Sequence, residues 1–185
     1  MIYIISGIAK SGKTLITSRL RDRLKIGSFS SDYLMMMLAN TNPKLGVNPD
    51  ASDRSVSHVL EPYLRNLIKI MIANHLDYIL EGVHFQPHLV SELMRDYPGQ
   101  IRAVFLGYRL IDSVTKQSEL IQFGPSTENH WYKHLSQAEL LELVNYLKKE
   151  SEIMYKQTVE YKLPYFEISS IVNQAEEIIN YLLTS

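Results

Sequence analysis

The chain contains no cysteine in its 185 residues. This absence excludes disulfide bonds, thiol nucleophiles and thiolate metal ligands, and it agrees with a cytoplasmic location, which we expect. Long apolar runs are also missing. The run at residues 1–5 is far shorter than the roughly 20 apolar residues of a membrane-spanning helix, and it is too short for the core of a signal peptide. We therefore expect no membrane partner.

An excess of charge of either sign is absent as well. The chain has 19 basic and 20 acidic residues, which give a formal net charge of −1. Such a chain has no strong field that would recruit nucleic acid, so we expect no nucleic-acid partner. Its length suits a single domain over residues 1–185, and no repeat, low-complexity tract or long linker divides it. Whether it forms a homodimer stays open.

A glycine-rich motif stands near the start of the chain. Residues 7–14, Gly-Ile-Ala-Lys-Ser-Gly-Lys-Thr, complete the P-loop pattern G-x-x-x-x-G-K-[ST] between an apolar run and a helix-like segment. In such a loop the backbone N–H groups form an anion nest, and the N-terminus of the following helix adds partial positive charge. The motif predicts bound ATP with Mg²⁺, and a chance glycine turn is the alternative.

The motif assigns a role to each of its residues. Lys13 would reach the β- and γ-phosphates, and the Thr14 hydroxyl would bind the Mg²⁺. Gly7 and Gly12 would let the main chain approach the phosphates without a Cβ in the way. The predicted nucleotide-binding residues are Gly7, Ala9, Lys10, Ser11, Gly12, Lys13, Thr14 and Leu15.

Hydrophobic patterning predicts strands that alternate with helices. The predicted strands are residues 2–6, 28–31, 78–83, 101–108 and 165–169. Residues 56–72 have the pattern of a long amphipathic helix, in which Pro62 is tolerable only near the first turn. Residues 41–53 have the composition of a mobile loop, and Ser136 with Glu139 forms a capping box at the head of a late helix. This alternation predicts an α/β fold with a five-stranded parallel sheet.

In a parallel sheet, ligands bind at the carboxyl ends of the strands. Asp32 follows the second predicted strand, Glu81 ends the third, and Arg109 follows the fourth, so we expect all three near the P-loop. Asp32 could accept a proton from a substrate hydroxyl, or it could cap the next helix unless Ser31 does so. Glu81 ends a buried strand, where an unpaired carboxylate is costly, so it should meet Mg²⁺, a metal-bound water or a basic partner. A structural salt bridge is the alternative for Glu81.

Two segments carry a resemblance to a known group. The P-loop with Ser30-Ser31-Asp32, together with residues 79–87, Ile-Leu-Glu-Gly-Val-His-Phe-Gln-Pro, resembles P-loop kinases related to 2-phosphoglycerate kinase and, more loosely, zeta toxins and polynucleotide kinases. The resemblance implies a three-layer P-loop NTPase fold of the nucleoside-monophosphate-kinase type with a helical lid. It implies that Asp32 lies close to the acceptor hydroxyl as base or orienter, and that Glu81 holds the magnesium shell from a Walker B-like position.

The resemblance also implies a lid, at about residues 109–135, that supplies a cation against the charge developing on the transferred phosphoryl group. Arg109 is the first candidate and Lys116 the second, and a solvated helix face is the alternative for both, favoured for Lys116. Weaker polar candidates in the same segment are Gln117, His130, Lys133 and His134. We interpret residues 129–134 as part of the lid rather than as a metal site, because two histidines without a third ligand make a poor site.

The acceptor is expected to bind in the segment at about residues 32–76. Arg54 and Arg65 in this segment could each clamp a phosphate or carboxylate, although Arg65 could instead lie along an amphipathic helix. His84 would project toward the acceptor from the third strand, or it is a structurally satisfied histidine. The predicted substrate-binding residues are Asp32, Arg54, Arg65 and His84, and the predicted catalytic residues are Lys13, Asp32 and Arg109.

These patterns together predict an ATP-dependent phosphotransferase that moves the γ-phosphoryl group to a hydroxyl of a small molecule. Two alternatives remain open: a polynucleotide or nucleotide-sugar kinase, and an ATP-binding regulatory module without kinase activity. A GTPase switch is not indicated, because the sequence lacks a D-x-x-G pattern at a strand end and an N-K-x-D pattern for base recognition.

Overall fold

Strands and helices alternate along the chain in a computed structural model that describes residues 1–126 and 131–184. The strands are β1 (Ile2–Gly7), β2 (Gly27–Ser30), β3 (Tyr78–Gly82), β4 (Ile101–Gly107) and β5 (Tyr165–Glu167). The helices are α1 (Lys13–Leu24), α2 (Ser31–Thr41), α3 (Asp53–Ala73), α4 (Pro87–Asp96), α5 (Ser113–Phe123), α6 (Gln137–Glu160) and α7 (Ile171–Thr184). Short 3₁₀ turns lie at Pro43–Leu45, Gly124–Ser126 and Trp131–His134.

The five strands form one parallel sheet in the order β2-β3-β1-β4-β5. β1 lies at the centre, with Ser6 opposite Gly82 of β3 and Phe105 of β4. Every residue of β1 is buried, because helices cover both faces of the sheet. The predicted five-stranded parallel sheet is confirmed, and its strands end within one or two residues of the predicted positions.

Two apolar cores lie on opposite faces of the sheet and produce three layers. Ile2 and Ile4 of β1 belong to the core that α3, α4 and α6 complete. Tyr3 and Ile5 belong to the core that α1 and α7 complete. This division follows from the two-residue repeat of a strand, which sends successive side chains to opposite faces. The predicted three-layer α/β fold is therefore confirmed.

Helix α3 begins at Asp53, three residues before the predicted start, and Pro62 lies well inside it rather than near its first turn. The Ser52 hydroxyl caps the helix by accepting a hydrogen bond from the Ser55 N–H at 3.3 Å. Buried apolar residues continue on both sides of the proline, namely Val56, Leu60, Leu64, Ile68 and Met71. Each buried side chain contributes about 1.5–3 kcal/mol, which together outweigh the roughly 3 kcal/mol cost of an internal proline. The expected position of Pro62 is therefore wrong.

Helix α6 begins at the predicted capping box. The Ser136 hydroxyl accepts a hydrogen bond from the Glu139 N–H at 3.3 Å, and the Glu139 carboxylate accepts one from the Ser136 N–H at 2.8 Å. The helix then packs Leu147 and Met154 into the core beside the sheet. Among the described helices, none has both the length and the apolar character needed to cross a bilayer.

Candidate active site

The P-loop connects β1 to α1 at the centre of the sheet. Gly7 and Gly12 have positive φ angles of 141° and 93°. A Cβ at Gly7 would overlap the Leu106 backbone of β4, and a Cβ at Gly12 would overlap the Ile171 side chain of α7. The protein's own backbone and packing therefore require both glycines. The sequence-based explanation, that both glycines let the main chain approach the phosphates, stays a prediction beside this finding.

The Lys13 side chain lies along the loop. Its ammonium group donates hydrogen bonds to the carbonyl oxygens of Gly7 at 3.3 Å and Ile8 at 2.8 Å. Burial lowers the pKa of Lys13, and the negative charge of nearby carboxylates opposes this shift. These carboxylates are Glu81, Asp32 and Asp53. The structure thus brings the predicted lysine together with both predicted carboxylates and with a third that the sequence did not indicate.

Two threonines of α1 hold Glu81 at the end of β3. Thr17 Oγ1 donates a hydrogen bond to Glu81 Oε2 at 3.1 Å, and Thr14 Oγ1 lies 3.5 Å from Oε1. Burial raises the pKa of Glu81, while the positive charge of Lys13 opposes the rise. Glu81 therefore has hydroxyl and cationic neighbours, in keeping with the cost of burying a lone carboxylate. Thr17 was not predicted, although its spacing of three from Thr14 places both on one helix face.

Asp32 lies in the first turn of α2, at the carboxyl end of β2. The helix is capped by Ser30, whose hydroxyl accepts a hydrogen bond from the Asp32 N–H at 3.3 Å. From the sequence, either Asp32 or Ser31 was considered as the cap of this helix. Neither residue is the cap, because β2 ends one residue earlier than predicted. The Asp32 side chain is 45% exposed, so it is accessible to a ligand.

His84 and Ser31 form a buried pair next to Asp32. The His84 ring is 2% exposed, and its Nδ1 lies 2.8 Å from Ser31 Oγ and 3.7 Å from Asp32 Oδ1. Burial lowers the pKa of His84 to about 4, although the charge of Asp32 opposes the shift. The ring is therefore neutral near pH 7. Gly82 has a φ of 146° and makes room for the pair, because a Cβ there would overlap Ser31 Oγ.

Arg109 follows β4 as predicted, but its contacts lie toward β5 and α6. Its guanidinium pairs with Glu167 at 3.3 Å and with Glu152 at 3.4 Å, and it lies 4.0 Å from the centroid of the Tyr155 ring. These partners are different from the carboxylates that surround Lys13. The expected convergence of Arg109 with Asp32 is therefore not seen in its contacts, and its catalytic role stays a prediction.

Lys116 is buried rather than solvated. Its side chain is 2% exposed, and its ammonium lies 2.9 Å from the Glu119 carboxylate and 4.5 Å from the centroid of the Tyr108 ring. The Tyr108 hydroxyl in turn donates a hydrogen bond to the Ala9 carbonyl of the P-loop at 2.8 Å. The expected solvated helix face is wrong, because the tyrosine ring and the glutamate replace water around the ammonium group.

Part of the predicted lid contacts the P-loop through Lys10. The Lys10 ammonium lies 4.9 Å from the ring centroid of Tyr132 and 5.9 Å from that of Trp131. Burial, together with repulsion from Lys13, lowers the pKa of Lys10 to about 8. Residues 127–130, which include the predicted lid candidate His130, fall outside the described residues.

Both arginines predicted to bind the acceptor are in ion pairs. Arg54, at the start of α3, lies 2.8 Å from the Glu150 carboxylate of α6. Arg65 lies about three turns later; it pairs with Glu61 of the same helix at 2.9 Å and with Glu92 of α4 at 2.6 Å. These pairs, rather than an apolar face, hold Arg65. Only Arg54 of the two reaches the cleft beside the P-loop.

This cleft lies between the P-loop, the start of α3, the β3–α4 connection and α6. Its lining includes Gly7, Asp53, Arg54, Gln86, Glu150 and Met154. Burial by the surrounding protein raises the pKa of Asp53, and the charge of Lys13 opposes the rise. Asp53, Gln86 and Glu150 were not predicted as site residues. Gln86 lies in the segment that carries the resemblance, whereas Glu150 lies on a helix with no local signal of a site.

Comparison with curated proteins finds a partial match. No family model matches the chain. A cytidylate kinase from Borrelia hermsii is 32% identical over 111 residues, which are 60% of this chain and 49% of that protein. The match therefore spans about half the length of this relative.

Solved structures share the architecture at low sequence identity. A gluconokinase from Sinorhizobium meliloti 1021 has a TM-score of 0.60 and 13% identity, over 98% of this chain and 90% of that chain. A shikimate kinase from Bacteroides thetaiotaomicron has a TM-score of 0.59 and 13% identity, over 98% of this chain and 96% of that chain. The chain therefore has the fold of P-loop kinases. The narrower resemblance to 2-phosphoglycerate kinases and zeta toxins stays a prediction.

Proposed function

We propose that this protein transfers the γ-phosphoryl group of ATP to a hydroxyl group of a small molecule. One observation carries the proposal. The ammonium of Lys13 in the P-loop is within electrostatic reach of the carboxylates of Glu81, Asp32 and Asp53, and the same loop and Asp53 line a cleft. A nucleotide-binding loop beside a cleft gives two substrates adjacent places. The fold shared with a gluconokinase and a shikimate kinase supports the same class of reaction.

The P-loop would hold the phosphates of ATP. Its N–H groups and the N-terminus of α1 provide the anion site, and Lys13 neutralises the charge of the β- and γ-phosphates. Arg109 would act as the lid cation after leaving its pairs with Glu152 and Glu167. Lys116 is a weaker candidate, because its buried ammonium is already paired with Glu119.

Thr14 and Glu81 would hold the Mg²⁺ that accompanies ATP. Their side-chain oxygens lie 3.5 Å apart, and oxygen atoms of this kind are the ligands that Mg²⁺ prefers. Within residues 1–126 and 131–184, no group of three or more His, Cys, Asp or Glu side chains is placed to hold a metal, so further ligands would come from phosphate and water. When bound, Mg²⁺ neutralises negative charge on the phosphates.

Asp32 would accept the proton of the acceptor hydroxyl. As that O–H bond breaks, the hydroxyl oxygen forms a bond to the γ-phosphorus, the bond from the γ-phosphorus to the bridging oxygen breaks, and ADP leaves. Asp32 suits this role because its carboxylate is accessible and does not cap α2. His84 is neutral and buried, so we assign it to positioning Asp32 rather than to contact with the acceptor.

A nucleotide acceptor is a second candidate function. The 32% identity with a cytidylate kinase favours it. In that case a phosphate of the acceptor would need a free guanidinium in the segment that follows β2. Arg54 is paired with Glu150, and Arg65 is paired with Glu61 and Glu92, which weighs against this candidate.

The test is transfer of labelled γ-phosphate from ATP, with Mg²⁺, to acceptors in a pooled metabolite extract. The wild type should label an acceptor. Asp32→Asn should retain ATP binding and lose about 10²- to 10⁴-fold in rate, the usual contribution of a general base. Asp22→Asn is the matched control, because Asp22 is 69% exposed on α1. Bound ATP without transfer to any acceptor would refute the proposed function, and full activity in Asp32→Asn would remove Asp32 from the chemistry.

A further inference from the structure

The hydrogen-bonding direction of Gln86 is determined by its neighbours. Its amide nitrogen donates to the Val83 carbonyl at 2.9 Å and to Ser57 Oγ at 3.3 Å. The Ser57 hydroxyl in turn donates its single proton to the Asp53 carbonyl. Ser57 Oγ must therefore accept from Gln86, which identifies the amide nitrogen and distinguishes it from Oε1.

This arrangement leaves Oε1 of Gln86 as a hydrogen-bond acceptor for a ligand. Oε1 accepts no hydrogen bond from any of the described residues, and Gln86 lines the cleft. Because the amide nitrogen is already engaged, a ligand in the cleft can donate a hydrogen bond to this oxygen without displacing a contact within the protein.

The charges around the cleft point to the same kind of ligand. Asp53 and Glu150 contribute two carboxylates to its lining, and Arg54 contributes one guanidinium. Arg54 is paired with Glu150 at 2.8 Å, so its charge is already neutralised. An anionic acceptor would have to break this pair and approach Asp53. The charged residues that line the cleft therefore carry one negative charge in excess, which the ammonium of Lys13 near Asp53 partly offsets.

Resting on the proposed function, we infer that the cleft binds an acceptor that is neutral or cationic and rich in hydrogen-bond donors, such as a polyol, a nucleoside or an amino alcohol. The Gln86 oxygen and the Asp53 carboxylate accept hydrogen bonds from its hydroxyl or ammonium groups. Acceptors that carry a phosphate or carboxylate are disfavoured. This specificity separates the cleft from one built for cytidylate.

The test compares acceptors in matched pairs that differ only in an anionic group. Suitable pairs are cytidine with cytidylate, ribose with ribose 5-phosphate, and an amino alcohol with the corresponding amino acid. Binding is measured calorimetrically on the full chain with Mg²⁺ and a non-hydrolysable ATP analogue, so the result does not depend on transfer. We expect the neutral or cationic member of at least one pair to bind about tenfold or more tightly than its anionic counterpart.

Two variants test the residues behind this preference. Glu150→Gln releases Arg54 and should shift the ratio of affinities toward the anionic members by about tenfold. Asp53→Asn should weaken cationic members most. Glu142→Gln is the matched control, because Glu142 is exposed on the same helix as Glu150. Binding of the ATP analogue in each variant checks that the protein is folded.

Each outcome decides one question. Tighter binding of the anionic members by the wild type, or failure of every neutral and cationic member to bind, would overturn the inferred specificity. Binding of a neutral or cationic member without transfer of phosphate from ATP would support the specificity and refute the proposed function.

Discussion

Acidification should destabilise this protein through His84. Burial lowers the pKa of this ring from 6.5 to about 4, and unfolding restores the ordinary pKa. Between these two values the unfolded chain binds a proton that the folded protein does not, so the free energy of unfolding falls as pH decreases. The contribution of the neutral ring is fully present above pH 6.5 and is lost as pH falls through about 4.

The size of this effect follows from the pKa difference. Each unit corresponds to roughly 1.4 kcal/mol, so we expect a loss of about 3 kcal/mol. The ring is only 2% exposed, so solvent screens little of this energy. A typical protein has a free energy of unfolding of roughly 5–15 kcal/mol, so the loss should be readily measured.

The assay is urea unfolding of the wild type, His84→Gln and the control His58→Gln across the same pH range. His58 is exposed on α3 and controls for the substitution itself. Other titrating groups act in all three proteins, so subtraction isolates the buried ring. We expect His84→Gln to lose about 3 kcal/mol less than the wild type on acidification.

Asp32→Asn provides a second check on the same reasoning. The charge of Asp32 favours the protonated form of His84, so its removal should lower the pKa of His84 further and enlarge the loss on acidification. If the wild type and His84→Gln lose equal free energy between pH 6.5 and 4, the ring does not have the buried, neutral state described above, and the reasoning is refuted.

Two further predictions concern Gly82 and Glu81. Gly82→Ala should lower the free energy of unfolding by about 1–3 kcal/mol more than the control Gly99→Ala. Both glycines have positive φ, but only a Cβ at Gly82 would overlap a neighbour, Ser31. Equal losses of the two variants in denaturant titrations would contradict this prediction. Glu81→Gln should weaken Mg²⁺-dependent ATP binding by about tenfold or more, whereas binding without Mg²⁺ should change less. Calorimetry with Glu177→Gln, an exposed change on α7, as control would detect this loss, and unchanged binding would exclude Glu81 from the metal site.

Much of the fold follows from local patterns in the sequence. The P-loop at residues 7–14 joins β1 to α1, and the capping box at Ser136 begins α6, as predicted. Such signals arise from residues a few positions apart, because backbone freedom, caps and the repeats of strands and helices are local properties. The position of Pro62 inside α3 was less predictable, because burial along the whole helix outweighs the local effect of the proline.

Part of the site was also predictable, because residues that follow parallel strands meet at one edge of the sheet. This rule places Lys13, Asp32 and Glu81 together, as their mutual electrostatic effects show. It does not determine the direction of a side chain beyond the strand end. Arg109 follows β4 as the rule requires, yet it packs against Tyr155 and pairs with acidic residues near β5.

The sequence by itself determined a phosphate-binding loop in a parallel α/β sheet, because those signals are contained within short segments. Only the tertiary structure decided that Lys116 is buried against Tyr108, and that Asp53, Gln86 and Glu150 line one cleft. These residues are far apart in the chain, and their contacts depend on how α3, α5 and α6 pack against the sheet. No local pattern specifies such packing, because it results from the burial of apolar surface over the whole protein.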